Sequence, residues 1–198
     1  MLKTSSLLLG LVSVIAPTTT GKPLIAVAPV GDVAAAQLAP LLPILRDTFG
    51  TEAVIAPAVP LPAAAYDERR RQHHSTVLLD ALARARRPEW DRLLGVADVD
   101  LFVPELNFVF GEGDPNRGVA VFSLNRLRGT GTAKEAELFA RRAATEAVHE
   151  LGHSYGLAHC DDRGCVMWFS NSLAETDRKG PRFCAAHASE LRRRMARP

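Results

Sequence analysis

The chain has 198 residues, 47% of them hydrophobic, which is enough to bury a sizeable core. Its 24 Lys and Arg nearly balance 22 Asp and Glu, and a formal net charge of +2 gives no strong pull toward nucleic acid or anionic membranes. There are three cysteines, which cannot all pair within one chain, so a pure disulfide framework fits poorly.

Lys3 precedes an apolar stretch over residues 7–16, followed by Pro17 and a threonine cluster. The stretch is too short to span a bilayer as a permanent helix. Residues 1–21 read as a signal peptide, with Gly21 before the cut, or as a disordered extension. Localisation stays open between the cytoplasm and export, and one folded domain is expected over residues 22–198.

Residues 24–30 form an apolar, β-branched run that predicts a buried strand. Gly31 and Asp32 offer a turn and a helix N-cap. Residues 33–49 predict a helix interrupted near Pro40 and Pro43 and stopped by Gly50. A second strand is expected over 53–59, then a Pro/Ala-rich loop over 61–72. Ser75 is expected to cap a helix that runs to about Arg87, before Pro88. Residues 100–103, 107–110 and 119–124 predict three further strands, with 111–116 a flexible turn. A long helix is expected over 134–155, with Phe139, Ala143 and Ala147 facing the sheet. This is an α/β order without internal repeats. His73 and His74 read as surface residues rather than metal ligands. The basic run 192–197 reads as a solvated helix end rather than a nucleic-acid arm, because no aromatic residue interleaves it.

The long helix runs into His149-Glu150-Leu151-Gly152-His153-Ser154-Tyr155-Gly156-Leu157-Ala158-His159-Cys160. Histidines at i and i+4 share one helix face, so both imidazoles reach one metal. Gly156 suits a helix end with positive φ, and the turn there delivers His159 as a third ligand. Three neutral nitrogens leave the fourth position of a tetrahedral zinc open, as a catalytic site requires. Zinc acidifies a water held there, and Glu150 is placed to act as general base and to carry the proton to a leaving amine. The competing reading is a helix that carries His-Glu-x-x-His on a solvated face.

Cys160 and Cys165 enclose four residues, and Cys184 starts a Cys-x-x-His pair with His187. Together these four make a Cys3His set suited to a closed zinc. The alternative is one disulfide plus a free thiol.

The run from His149 to His159, with Cys160, Cys165-Val166-Met167 and Cys184, resembles the archaemetzincin family of metalloproteases. Tyr66-Asp67, Arg69-Arg70 and Gln72 are also similar to that family, as are residues 98–104, 106–112, 169–173 and 177–181. The resemblance covers roughly residues 22–190. It implies a metzincin-like mixed, mostly parallel twisted sheet with an active-site helix and a zinc-tied C-terminal segment. It also implies two zinc ions, one catalytic and one structural, and Met167 as a methionine turn beneath the first. An edge strand that binds the substrate main chain is implied, with Asn107, Phe108, Val109 and Phe110 as the candidates. Two positions depart from the pattern. His187 stands where the family usually has a cysteine, and Phe169 stands where some related metzincins have a tyrosine near the zinc. The expectation is a monomeric zinc-dependent metallopeptidase acting on peptides or proteins, without nucleic acid or stable membrane association. The rival is a zinc-stabilised peptide-binding or regulatory module, which would have no need of Glu150 as a base.

Overall fold

The computed structural model describes residues 23–129 and 132–196, so the proposed signal peptide or extension lies outside the described residues. In chain order the elements are β1 (Leu24–Pro29), α1 (Leu41–Phe49), β2 (Glu52–Ile55), β3 (Tyr66–Asp67) and β4 (Gln72–His74). There follow α2 (Ser75–Ala85), β5 (Arg92–Ala97), β6 (Leu101–Phe102), β7 (Gly111–Asp114) and β8 (Val119–Ser123). The chain closes with α3 (Ala133–Ser154), α4 (Leu173–Lys179) and α5 (Ala185–Met195). The main sheet has the order β2-β1-β5-β8-β7, parallel except for the antiparallel edge strand β7. A small sheet, β3-β4-β6, stands beside it. The expected mixed, mostly parallel architecture is present.

Both faces of the main sheet are covered, and the strand sequences show it. In β1, Ile25 and Val27 enter one core cluster while Ala26 and Ala28 enter the other. Phe122 and Val121 alternate in the same way on β8. Strands buried on both faces read as continuous apolar runs, which is why β1 and β8 are legible. One cluster joins the sheet to α1 and α3 through Leu45, Phe49, Ala147, Val148 and Leu151. The other joins it to α2 through Leu78, Leu79 and Leu82. Ala143 and Ala147 face the first cluster as expected, and half-buried Phe139 packs against it.

Several elements differ from the sequence reading. The region 33–49 holds a short 3-10 turn at Ala35–Gln37 and then α1, because Pro40 cannot sit in a helix interior. The central strand β5 has no counterpart in the sequence reading. The segment 61–72 contains β3 and the start of β4, so it is partly a hairpin. Residues 107–110 form no strand; they make one bridge, Leu101 to Val109, and otherwise run irregularly. The edge strand is β7, which falls where a flexible turn was expected. A Cβ at Gly113 would lie 2.6 Å from both the Glu150 carbonyl oxygen and His153 Cβ, so glycine lets β7 press against α3. Ser75 is the first residue of α2 rather than its cap, and its hydroxyl lies 2.5 Å from Glu112 Oε2 on β7. His73 and His74 are half-buried in β4, their rings tilted against Tyr66 and Phe102 with centroids 5.0 and 5.1 Å apart, rather than exposed. No helix among the described residues is long and apolar enough to cross a membrane.

Candidate active site

Helix α3 runs beneath β7 and β8 and ends at the cleft. Its first turn is capped by Thr132, whose side chain accepts from the Glu135 backbone N–H. At the other end Gly156 adopts φ +83, and the chain turns back so that the Leu157 N–H donates to the Gly152 carbonyl. That turn does two things at once. It brings His159 over the helix, and it places the Leu157 carbonyl 2.9 Å from His153 Nδ1. His149 Nδ1 lies 2.7 Å from the Val166 carbonyl. Both rings therefore donate from Nδ1 to backbone and leave Nε2 free.

The free Nε2 atoms converge. His153 Nε2 lies 3.1 Å from His149 Nε2 and 3.2 Å from His159 Nε2. Zinc–nitrogen bonds of about 2.0–2.1 Å in a tetrahedron separate the nitrogens by roughly 3.3 Å. Three neutral acceptors at that spacing have no proton to share, so the donor set fits a metal. Burial depresses the pKa of all three imidazoles, with Lys179 adding to the effect at each. For His153 the value falls to about 4. The ligand atoms are therefore deprotonated near neutral pH, as metal binding requires.

Glu150 is 4% exposed and its Oε2 has no hydrogen-bond partner. Burial first, then the charges of Glu146 and Glu112, push its pKa well above the ordinary carboxyl range, with Lys179 opposing. A dication bound by the three histidines would act in the opposite direction. The Glu150 carboxyl lines a cleft of about 320 Å³ together with His149, His153, His159 and Lys179. Phe169 also lines it and packs against His159 with ring centroids 4.9 Å apart. Met167 is fully buried in the core below. Of the proposed substrate segment, Phe108, Val109 and Phe110 line the cleft; Asn107 does not.

The second cluster begins one residue after His159. Cys160, Cys165, Cys184 and His187 bring their ligand atoms within 4.8 Å of one another. Cys160 and Cys184 sulfurs are 3.9 Å apart, and His187 Nδ1 lies 3.4 Å from Cys184 Sγ and 3.8 Å from Cys165 Sγ. Zinc–sulfur bonds of about 2.3 Å imply sulfur separations of roughly 3.8 Å, so this set also fits. No pair is bonded as a disulfide. His187 approaches through Nδ1, the nitrogen nearer its backbone, which lets a residue three positions after Cys184 replace a thiolate. The His187 backbone N–H helps hold the Cys184 thiol below its ordinary pKa, while burial pushes Cys165 up.

The sequence reading missed the ionic lock between α3 and α4. Arg142 pairs bidentately with Asp177 at 2.7 Å, and Lys179 Nζ lies 3.6 Å from Glu146 Oε1. The Glu146–Lys179 pair is buried, and Lys179 also donates to the Trp168 carbonyl at 3.1 Å. Lone buried charges are costly, so Glu146 without Lys179 would be untenable. A visible signal existed: Arg142, Glu146 and Glu150 recur every fourth residue on a helix that must bury one face.

Comparison with known proteins agrees with this geometry. The model of the family described as Peptidase family M54 matches residues 56–193. Archaemetzincin from Methanopyrus kandleri is 45% identical over 137 residues, covering 69% of this chain and 75% of that protein. Archaemetzincin from Methanocaldococcus jannaschii is 38% identical over 172 residues, covering 86% and 93%. The crystal structure of the M. kandleri protein superposes with a TM-score of 0.78 at 37% identity, covering 92% of this chain and 100% of that one. A zinc-dependent peptidase from Methanocorpusculum labreanum superposes with a TM-score of 0.73 at 26% identity, covering 84% and 99%. The chain belongs to peptidase family M54, the archaemetzincins, and is a zinc metallopeptidase.

Proposed function

We propose that this family M54 peptidase uses His149, His153 and His159 to hold a catalytic zinc and Glu150 as general base. Cys160, Cys165, Cys184 and His187 hold a second, structural zinc. The observation that carries the reading is the meeting of three converging Nε2 atoms with the unpartnered Glu150 Oε2 in one cleft. When bound, zinc supplies Lewis acidity to the attacking water and to the scissile carbonyl. The Glu150 carboxylate takes a proton from that water and returns it to the departing amine. Val166 and Leu157 carbonyls keep the His149 and His153 rings in the tautomer that offers Nε2. Met167 packs beneath the site as a fixed apolar floor.

The substrate lies extended along β7. Strand β7 is paired with β8 on one side only, so its other edge offers free backbone groups to a peptide. Phe108, Val109 and Phe110 then serve as a wall rather than as the pairing strand.

Cleavage of a mixed peptide library by wild type and by Glu150→Gln tests this. The variant is expected to keep its zinc and lose about 10²–10⁴-fold in kcat. Retained turnover in a zinc-loaded variant would remove Glu150 from its role.

A further inference from the structure

The outer wall of the cleft is apolar and irregular. Val103, Leu106, Phe108, Val109 and Phe110 line it, and Phe169 lines the same cleft. Backbone hydrogen bonding holds only the end of this wall, where the Val109 N–H donates to the Leu101 carbonyl and the Ser123 N–H to the Phe110 carbonyl. Side chains of the small sheet hold the rest. Arg70 Nη2 donates to the carbonyls of Leu106 at 2.7 Å and Asn107 at 3.1 Å. Gln72 Nε2 donates to the same Asn107 carbonyl at 2.9 Å and reaches Asp100 Oδ2 at 3.2 Å. Arg70 Nε donates to Gln72 Oε1 at 2.9 Å, so the two side chains act as one unit.

The unit is itself fixed. The Arg70 guanidinium lies 4.2 Å above the Phe102 ring, and its backbone N–H donates to Asp67 Oδ1 at 2.9 Å. Arg71 takes a left-handed φ of 56, uncommon outside glycine, and the turn there lets Arg70 and Gln72 reach one carbonyl. Asp100 continues the chain to Arg126 with contacts of 2.5 and 2.6 Å, and Arg126 covers the cleft residue Phe108 at 4.2 Å. Buried Gln72 uses both its donor and its acceptor sites, so the chain has no slack.

We infer that Arg70 and Gln72 are positioning residues that set the apolar wall of the cleft, and with it a preference for a large apolar substrate side chain. The preference rests on the peptidase reading above; the positioning does not. Large aliphatic or aromatic side chains gain by displacing water from this wall, while charged ones lose hydration against it.

The test pairs two measurements on the zinc-loaded protein. Arg70→Met keeps a flexible apolar stem over Phe102 and removes the bonds to Leu106 and Asn107. Amide hydrogen exchange over residues 103–110 should speed up by roughly tenfold or more while α3 keeps its protection. Peptides that differ only by Ala, Leu, Phe or Asp beside the scissile bond should show a wild-type preference for Leu or Phe over Ala. In Arg70→Met that ratio should fall roughly tenfold, mainly through KM rather than kcat. Arg70→Lys, a milder change, should move both readouts less and in the same direction. Unchanged exchange over 103–110 in either folded variant overturns the positioning role. A wild type without apolar preference, or a ratio that survives the loosened loop, overturns the specificity role. A wild type that cleaves nothing would count against the peptidase reading, and the exchange measurement would still decide the clamp.

Discussion

His159 and Cys160 are neighbours in the chain, yet they belong to clusters with opposite surroundings. The first cluster opens onto the cleft and offers three nitrogens. The second offers four ligand atoms, from Cys160 and Cys165 in the loop between α3 and α4, Cys184 at the N-cap of α5 and His187 within α5. Three neutral imidazoles suit a reactive metal, whereas three thiols and one imidazole suit a metal that only joins segments. On the proposed assignment, a working site lies directly beside the tie that stabilises the C-terminal part. Because the two donor sets adjoin, loosening the second should disturb the first through His159.

The largest expected effect on stability comes from breaking the closed cluster. Cys165→Ser should lose one zinc per chain and several kcal/mol of stability, because structural zinc contributes folding energy directly. Thermal melting with elemental analysis measures both, and unchanged values would dissolve the distinction between the clusters.

A smaller effect separates the open cluster by pH. His153 has its folded pKa depressed to about 4 against an ordinary 6.5. A group of this kind contributes stability above its unfolded pKa and loses it as pH falls toward the folded one. Glu150 acts in the opposite sense, since its raised pKa makes burial costlier as pH rises. In Glu150→Gln stripped of the open-site metal, stability should therefore fall between pH 6.5 and 4, by roughly 3 kcal/mol from His153 alone. Denaturant titrations across that range should show the slope, and a flat profile would mean that the ring is not buried neutral.

The smallest effect concerns the third ligand. Val166 and Leu157 carbonyls orient His149 and His153, while His159 is braced by the exposed ring of Phe169. Phe169→Ala should weaken zinc binding at the open cluster by about tenfold or less, because orienting neighbours of metal ligands typically contribute 10–100-fold. A chelator competition assay checks this, and a loss confined to the closed cluster would contradict it.

The same contrast explains what was legible in the sequence. The histidine cluster spans eleven residues, so helix periodicity and one glycine were enough to assemble it. The cysteine cluster is long-range, but three cysteines in the whole chain leave few ways to combine them. Strands β1 and β8 were visible because burial on both faces demands continuous apolar runs. Strand β5 begins at Arg92 and carries Gly95, and only Val96 is β-branched, so its sequence lacks the usual strand character; the β1 and β8 ladders decide its conformation. The sequence Gly111-Glu112-Gly113-Asp114 has the composition of a turn. It becomes β7 because its glycines fit against α3 and Glu112 accepts from Ser75 and Thr76. Helix α4 is charge-rich, and its place depends on Arg142 and Glu146, which lie more than thirty residues earlier.

The most direct measurement is stepwise zinc removal by a chelator, following zinc per chain, peptide cleavage and melting temperature together. Two zincs per chain are expected: the first leaves with cleavage while melting changes little, and the second leaves with the fold. One zinc per chain, or a first release that melts the protein and spares cleavage, would contradict it.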